Sequence, residues 1–182
     1  SYFGGIDFDQ RIMSYCIMKF SRQWYGKRID VKKIDKLKLQ KLRTQCEGLK
    51  KLLSSELKGY ILIKEFYEGK DLQVKITRTD LEKMCGDLLL LSLSPIDELF
   101  DLCDINIDDI HQVILVGGMT RMPAIRDRLA HRFRTENNKE NRINCSINPD
   151  EAVSVGAAIQ GYMIANRSCL LYTSDAADDI RR

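Results

Sequence analysis

The sequence predicts an α/β fold, a two-layer lobe, and three patterns carry that prediction. In the first half, apolar residues recur at spacings of three and four residues along two stretches, the mark of amphipathic helices. Two runs of strand-forming residues, 60–63 and 72–76, flank the turn-forming Glu68-Gly69-Lys70-Asp71. Further on, Val113-Ile-Leu-Val116 runs into Gly117-Gly118 and then Pro123, a sequence that reads as strand, tight loop and helix.

Taken in order, the first helix carries Phe8, Ile12, Cys16 and Phe20 on one face, with Asp7 as its cap. A charged loop over residues 25–33 leads to a longer helix with Leu39, Leu42, Cys46, Leu49 and Leu53 on its inner face. The basic run over residues 27–51 is the solvated side of that helix. The two strands then form a hairpin. Thr79-Asp80-Leu81-Glu82 is a capping box that opens a third helix, which Ser94-Pro95 interrupts or restarts before Asp101. Residues 113–116 are expected to form a buried strand, and the polar stretch between Arg134 and Ser146 a surface loop. Asn148-Pro149-Asp150-Glu151 combines an N-cap, a proline at the first helical position and two acids, so a last helix begins there. Its small residues Gly156, Ala157 and Ala158 predict close packing against a neighbour. From Arg167 onward no helical or strand period is visible.

Composition bounds the possibilities. A chain of 182 residues with 44% hydrophobic and 30% charged content is large and apolar enough for a sizeable core. The net charge of +3 is small and both signs are interspersed, so neither composition nor patterning implies a nucleic-acid partner. No apolar run is long enough to cross a membrane as a helix, so no membrane partner is expected. The six cysteines lack CxxC spacing and only two histidines are present, which predicts buried reduced thiols and no metal site. The chain opens on Ser1, directly before a glycine pair, and reads as beginning in mid-domain.

The chemistry concentrates at the glycine pairs. Gly117 and Gly118 lack a Cβ, so backbone can approach a ligand there, and the helix start behind them offers free N–H groups to an anion. A nucleotide suits such a junction. A purely structural turn is the better explanation of Gly117-Gly118 taken alone, but the second helix start at Asn148 places a further junction where it could flank the same cleft.

These two blocks, in this order and at this separation, resemble the end of the nucleotide-binding domain of the 70-kDa heat-shock chaperones, the DnaK-type family. Three further segments are similar to that family: Gly4-Gly5-Ile6-Asp7-Phe8-Asp9, Leu42-Arg43-Thr44-Gln45-Cys46-Glu47-Gly48-Leu49-Lys50-Lys51-Leu52-Leu53-Ser54, and Ile76-Thr77-Arg78. The likeness runs from Gly4 to Ile164. It implies an actin-like ATPase (ribonuclease H-like) fold of which this chain supplies the second lobe only, a mixed sheet with packed helices plus a helix-and-hairpin subdomain. Residues 1–166 would be that lobe, incomplete at its N-terminus. Residues 167–182 depart from the family and read as a non-family, non-native tail.

The resemblance also implies a set of site residues. Glu47 matches a carboxylate that bonds ribose hydroxyls, while Lys50 and Ser54 match polar contacts to ribose and adenine; positions 47, 50, 51 and 54 share one helical face. Gly117, Gly118 and Met119 match the loop that passes the ribose and α-phosphate, and Arg121 the arginine that packs flat on adenine. Asp150 matches an acid at the adenine edge, although its place at a helix start would by itself explain it. Gly4 and Gly5 are the remaining phosphate-side elements. Lys51 stands where many relatives have an arginine, which should loosen the adenine sandwich by about 0.5–1 kcal/mol.

On the same resemblance, the ligand is ATP or ADP with Mg²⁺, and the metal's ligands and the hydrolytic residues belong to a first lobe absent from this sequence. No catalytic residue is assigned here. The implied parent is an ATP hydrolase that couples nucleotide state to the folding of client polypeptides held by a separate peptide-binding domain, working with J-domain co-chaperones and nucleotide-exchange factors. It would be intracellular, in cytoplasm or mitochondrion; Met119 and Met122 resemble the bacterial and mitochondrial branch. Two other readings fit the residues: a non-catalytic lobe that serves as a docking module for exchange factors, or another member of the actin-like superfamily.

Overall fold

A computed structural model describes residues 4–103, 105–134 and 142–179, with side chains through residue 166. The first layer is a helix pair on a hairpin. Helix α1, Gly5–Tyr25, turns Phe8, Ile12, Cys16 and Phe20 into the core, as their spacing predicts. Its cap is Gly4 and not Asp7. The Asp7 carboxylate lies one turn in and accepts from the Gly4 N–H at 2.8 Å, the acidic half of a capping box. Gly26 ends the helix in the left-handed conformation, φ 64°.

After a short 3-10 turn at Val31–Lys33, α2 spans Lys36–Leu52 and begins at Asp35, whose carboxylate accepts from the Leu37 N–H at 2.7 Å. It buries Leu42, Cys46 and Leu49 against α1, and Leu53 just beyond its end is buried too. Strands β1, Lys58–Tyr67, and β2, Lys70–Thr77, pair antiparallel, with Ile61 opposite Val74 and Ile63 opposite Leu72. Those four residues and Ile76 point to the helices, and the alternate residues face water. An irregularity between Ile63 and Tyr67, with Glu65 at φ 49°, swings Phe66 back into the core. Phe66 meets Phe20 edge to face at 5.2 Å.

The third helix, α3, spans Arg78–Met84, and its capping box is Thr77 with Asp80, two residues ahead of the expected Thr79. The Asp80 carboxylate accepts from the Thr77 N–H at 3.0 Å and from its hydroxyl at 2.6 Å. Thr79 lies inside the helix. Short helices α4, Gly86–Leu91, and α5, Ser94–Cys103, follow, with Pro95 in the first turn of α5 where the sequence predicts a restart. An Arg11–Asp87 ion pair ties α4 to α1.

The second layer is smaller. Strand β3, Val113–Ile114, pairs in parallel with β4, Ile143–Asn144, and α6, Pro123–Arg132, packs beside them with Pro123 at its first position. The expected buried strand over 113–116 is therefore only partly present. Leu115 is buried, whereas Ile114 and Val116 are about half exposed because β3 has one strand neighbour among the described residues. The two ladders do not join, so the described residues hold one antiparallel and one parallel pair and not a single mixed sheet. Much of the predicted loop between Arg134 and Ser146 lies outside the described residues.

Helix α7, Ala152–Asp179, differs from expectation in two ways. Its residues from Val153 through Asn166 are exposed, so the close packing predicted from Gly156, Ala157 and Ala158 is not seen. It also continues past Arg167, because neither glycine nor proline occurs after Gly161 to stop it. Asn148 does serve the start: its carbonyl accepts from the Ala152 N–H at 3.0 Å.

Cys16, Cys46 and Cys85 are buried, whereas Cys103 and Cys145 are exposed, against the expectation that all thiols are buried. A hydrogen bond with Cys16, together with burial, pushes the Cys46 thiol far above the ordinary thiol range, and burial lifts Cys85 to about 11. Folding therefore holds both protons. Their contribution to stability is full below the unfolded thiol value near ~8.5 and falls as pH rises above it, since the unfolded chain then binds fewer protons. In the native protein at neutral pH, maleimide should label Cys103 and Cys145 and spare Cys16, Cys46 and Cys85. Peptide mass spectrometry reads the sites, and rapid native labelling of Cys46 would contradict the packing.

Candidate functional site

A cleft of about 610 Å³ opens between the start of α1, the end of α2, the loop after β3 and the turn before α7. Gly5, Lys50, Lys51, Ser54, Gly118, Met119, Arg121 and Asp150 line it, so the structure brings together eight of the residues that the sequence singles out.

The α1 side is fixed by a buried charge. Lys50 and Asp9 have side chains only 10% exposed, and their ion pair closes at 2.8 Å. The same ammonium donates to the Gly5 carbonyl at 2.8 Å. Lys50 thus lines the cleft, but its charge already serves to join α2 to α1. Gly5 sits so close that a Cβ there would lie 2.9 Å from Lys50 Nζ and 3.2 Å from Met119 Sδ. A larger residue here would displace the ends of the Lys50 and Met119 side chains.

The opposite wall depends on Gly117, whose φ of 87° lets the chain leave β3 sharply. Its N–H donates to the Pro149 carbonyl at 2.9 Å, and its carbonyl accepts from the Thr120 N–H at 3.1 Å. Residues Gly118–Arg121 then form a 3-10 turn, with Gly118 packed so that a Cβ would meet Asp150 Oδ1 at 3.3 Å. The Arg121 guanidinium donates to Asn148 Oδ1 at 2.7 Å and to Asp150 Oδ2 at 2.8 Å, which holds the planar head in place along the wall. A guanidinium held by its edge in this way is able to offer its flat face to an aromatic ring.

Glu47 does not line the cleft. Its carboxylate pairs with Lys51 at 2.7 Å one turn along α2. The Lys51 hydrogen bond holds the Glu47 carboxyl below its ordinary range, and Glu47 holds Lys51 above its own. Both are exposed, so either group can leave the pair for a ligand hydroxyl at little cost. The expected common face of 47, 50, 51 and 54 is thus divided, with Lys50 turned inward. Gly4 lines a neighbouring, mostly apolar cavity with Phe8 and residues 113–116, and Gly117 stands behind the wall it shapes.

Three contributors escaped the sequence reading. Met122 lines the cleft, Asn148 orients Arg121, and Asp9 anchors Lys50. Asp9 carries a legible signal, since an acid four residues after Gly5 and seven before Cys16 falls on the apolar face of α1. The cleft offers cations, hydroxyl and backbone donors suited to a nucleoside and its phosphates. Among the described residues no group of three His, Cys, Asp or Glu could hold a metal ion.

Comparison with known proteins agrees with the motifs. The model of the family described as "Hsp70 protein" matches residues 1–171. The chain is 36% identical over 167 residues to "Heat shock protein 70 homolog" of Acanthamoeba polyphaga mimivirus, covering 92% of this chain and 17% of that protein. It is 36% identical over 175 residues to "Heat shock 70 kDa protein" of Neurospora crassa, covering 96% of this chain and 26% of that protein. To "Heat shock cognate 70 kDa protein 3" of Dictyostelium discoideum it is 34% identical over 165 residues, 91% of this chain and 25% of that protein. The chain therefore spans only a sixth to a quarter of the length of these relatives. With the family matched over nearly its whole length and relatives above 30% identity, this chain belongs to the Hsp70 family.

Proposed function

We propose that residues 1–166 form the second lobe of the nucleotide-binding domain of an ATP-dependent chaperone, and that their cleft receives the adenosine part of ATP or ADP. The observation that carries this reading is the convergence of Gly5, Lys51, Ser54, Gly118, Arg121 and Asp150, from separate segments, around one cleft. In this reading the adenine lies on the Arg121 plane, Ser54 and Lys51 meet its polar edges and the ribose, and Glu47 exchanges Lys51 for a ribose hydroxyl. The backbone of Gly118 and Met119 passes the α-phosphate. Bound nucleotide supplies the phosphoryl chemistry, but the residues of this chain only bind and orient it.

Hydrolysis requires groups that hold Mg²⁺ and position water, which belong to a first lobe. This chain alone is therefore expected to bind nucleotide weakly and hydrolyse none. The parent would be an ATPase that couples nucleotide state to release and refolding of client polypeptides, with J-domain co-chaperones and exchange factors as partners. Its compartment, cytoplasm or mitochondrion, belongs to the same proposal. The tail expected over residues 167–182 begins no earlier than residue 172 in this reading, since the family match runs through residue 171. An uninterrupted genomic reading frame through Arg182 would remove the idea that this tail is foreign.

The test is calorimetric titration of the chain with ADP, wild type against Arg121→Ala. Loss of the stacking platform should weaken binding by at least about 0.5–1 kcal/mol. Equal affinity in the two proteins would remove Arg121 from the site.

A further inference from the structure

A second cleft, sharing no lining residue with the first, lies at the other end of α1. Its origin is local. Gly26 turns the chain back in the left-handed conformation, and the Ile29 N–H then reaches Ser21 Oγ at 3.5 Å. Ser21 in turn donates to the Ile17 carbonyl at 2.6 Å. The loop is thereby folded against the last turns of α1, leaving a concavity of about 500 Å³.

The floor of this concavity is apolar. Ile17 is buried, while Met18 and Val31 are each 37% exposed. The rim is basic, with exposed Arg22, Lys27 and Arg28 around the mouth and no acid among the lining residues. Among the described residues, none of these three cations has a carboxylate within 4.0 Å, whereas Arg11, Lys50, Lys51, Arg121 and Arg132 each have one. The neighbouring acid, Asp30, turns one carboxylate oxygen to the backbone, where it accepts from the Lys32 N–H at 3.0 Å. The arrangement is an apolar socket ringed by cations whose charge is unanswered.

We propose that this cleft docks an acidic peptide segment of a partner protein, with one apolar side chain in the socket and flanking carboxylates on Arg22, Lys27 and Arg28. Charge complementarity selects the occupant. The enclosed volume suits one or two aliphatic or aromatic side chains, which a nucleic-acid backbone does not offer. No aromatic ring lines the cleft to stack a base, and the cations form a cluster and not a stripe that could follow phosphates. A bilayer surface, being broad, cannot enter a concave socket. Arginine at two of the rim positions adds paired, directional donors for carboxylates. The inference is independent of nucleotide binding, and its failure would leave the first cleft untouched.

The experiment measures fluorescence anisotropy of a labelled decapeptide of Asp and Glu with a central Leu. Two control peptides replace Leu by Ser or the acids by Lys. A single-stranded oligonucleotide and vesicles containing an anionic phospholipid are offered in parallel. The acidic Leu peptide is expected to bind, and to bind more weakly as salt rises. Reversing the rim, Arg22→Glu with Lys27→Glu and Arg28→Glu, should raise its Kd at least about tenfold, given up to about fivefold per exposed pair. Met18→Ser should weaken the Leu peptide and leave the Ser peptide unchanged. These positions are exposed, so circular dichroism should show the variants folded. The proposal is overturned by absent binding to the folded protein, by equal binding of the Leu and Ser peptides, by indifference to charge reversal, or by preference for the oligonucleotide or the vesicles.

Discussion

Lys50→Met is expected to destabilise the protein by about 3–5 kcal/mol, because it leaves the buried Asp9 carboxylate without its partner. The pair has little exposure to water, and the lost ammonium also deserts the Gly5 carbonyl. Two helices are loosened at once, since Lys50 belongs to the last turn of α2 while Gly5 and Asp9 open α1. The double variant Lys50→Met with Asp9→Leu removes both charges and should recover most of the loss, since well-packed apolar groups replace a buried pair at small cost. Urea unfolding followed by circular dichroism reads both values. A single variant within about 1 kcal/mol of wild type would show that water reaches Asp9 freely.

The second large effect belongs to the aromatic joint between α1 and the hairpin. Phe20 is 1% exposed, sits edge to face with Phe66 and lies 6.1 Å from the Tyr25 ring. Phe20→Ala should cost about 3–5 kcal/mol, from lost transfer energy and the cavity left behind. Phe20→Leu, which keeps more of the volume, should cost less. The same unfolding experiment separates them, and equal midpoints for Ala and Leu would mean that the hairpin collapses into the space.

Elements whose order rests on their own periodicity were legible. The core faces of α1 and α2 and the alternation of β1 and β2 follow from local spacing, so Phe8, Ile12, Leu42, Ile61 and Ile76 are buried as the pattern predicts. Errors arose where a neighbour decides the outcome. Residues 113–116 look like a buried strand, yet burial needs covering layers on both faces and strands on both edges. Residues 152–158 look built for close packing, yet nothing in the described residues closes over them. The capping box was displaced because Thr77 and Thr79 both stand near an acid, and only the position where β2 ends selects Thr77.

The site shows the same division. Gly117-Gly118 was legible because backbone freedom is a local property, whereas Arg121 and Asp150 were pointed to by the family resemblance. The platform that Asn148 makes for Arg121, across 27 positions, exists only after folding. The role of Lys50 was legible as a position and not as a bond, since Asp9 lies 41 residues away.

The central claim is that the cleft between α2 and the Gly117–Gly118 loop is an adenosine site. The most direct measurement is a titration of the isotopically labelled protein with ADP, followed by amide chemical shifts. The account predicts shifts concentrated at Gly5, Lys51, Ser54, Gly118, Met119, Arg121 and Asp150, with the far end of α1 silent. Shifts confined to residues outside this cleft, or none at millimolar ADP with the spectrum of a folded protein, would contradict it.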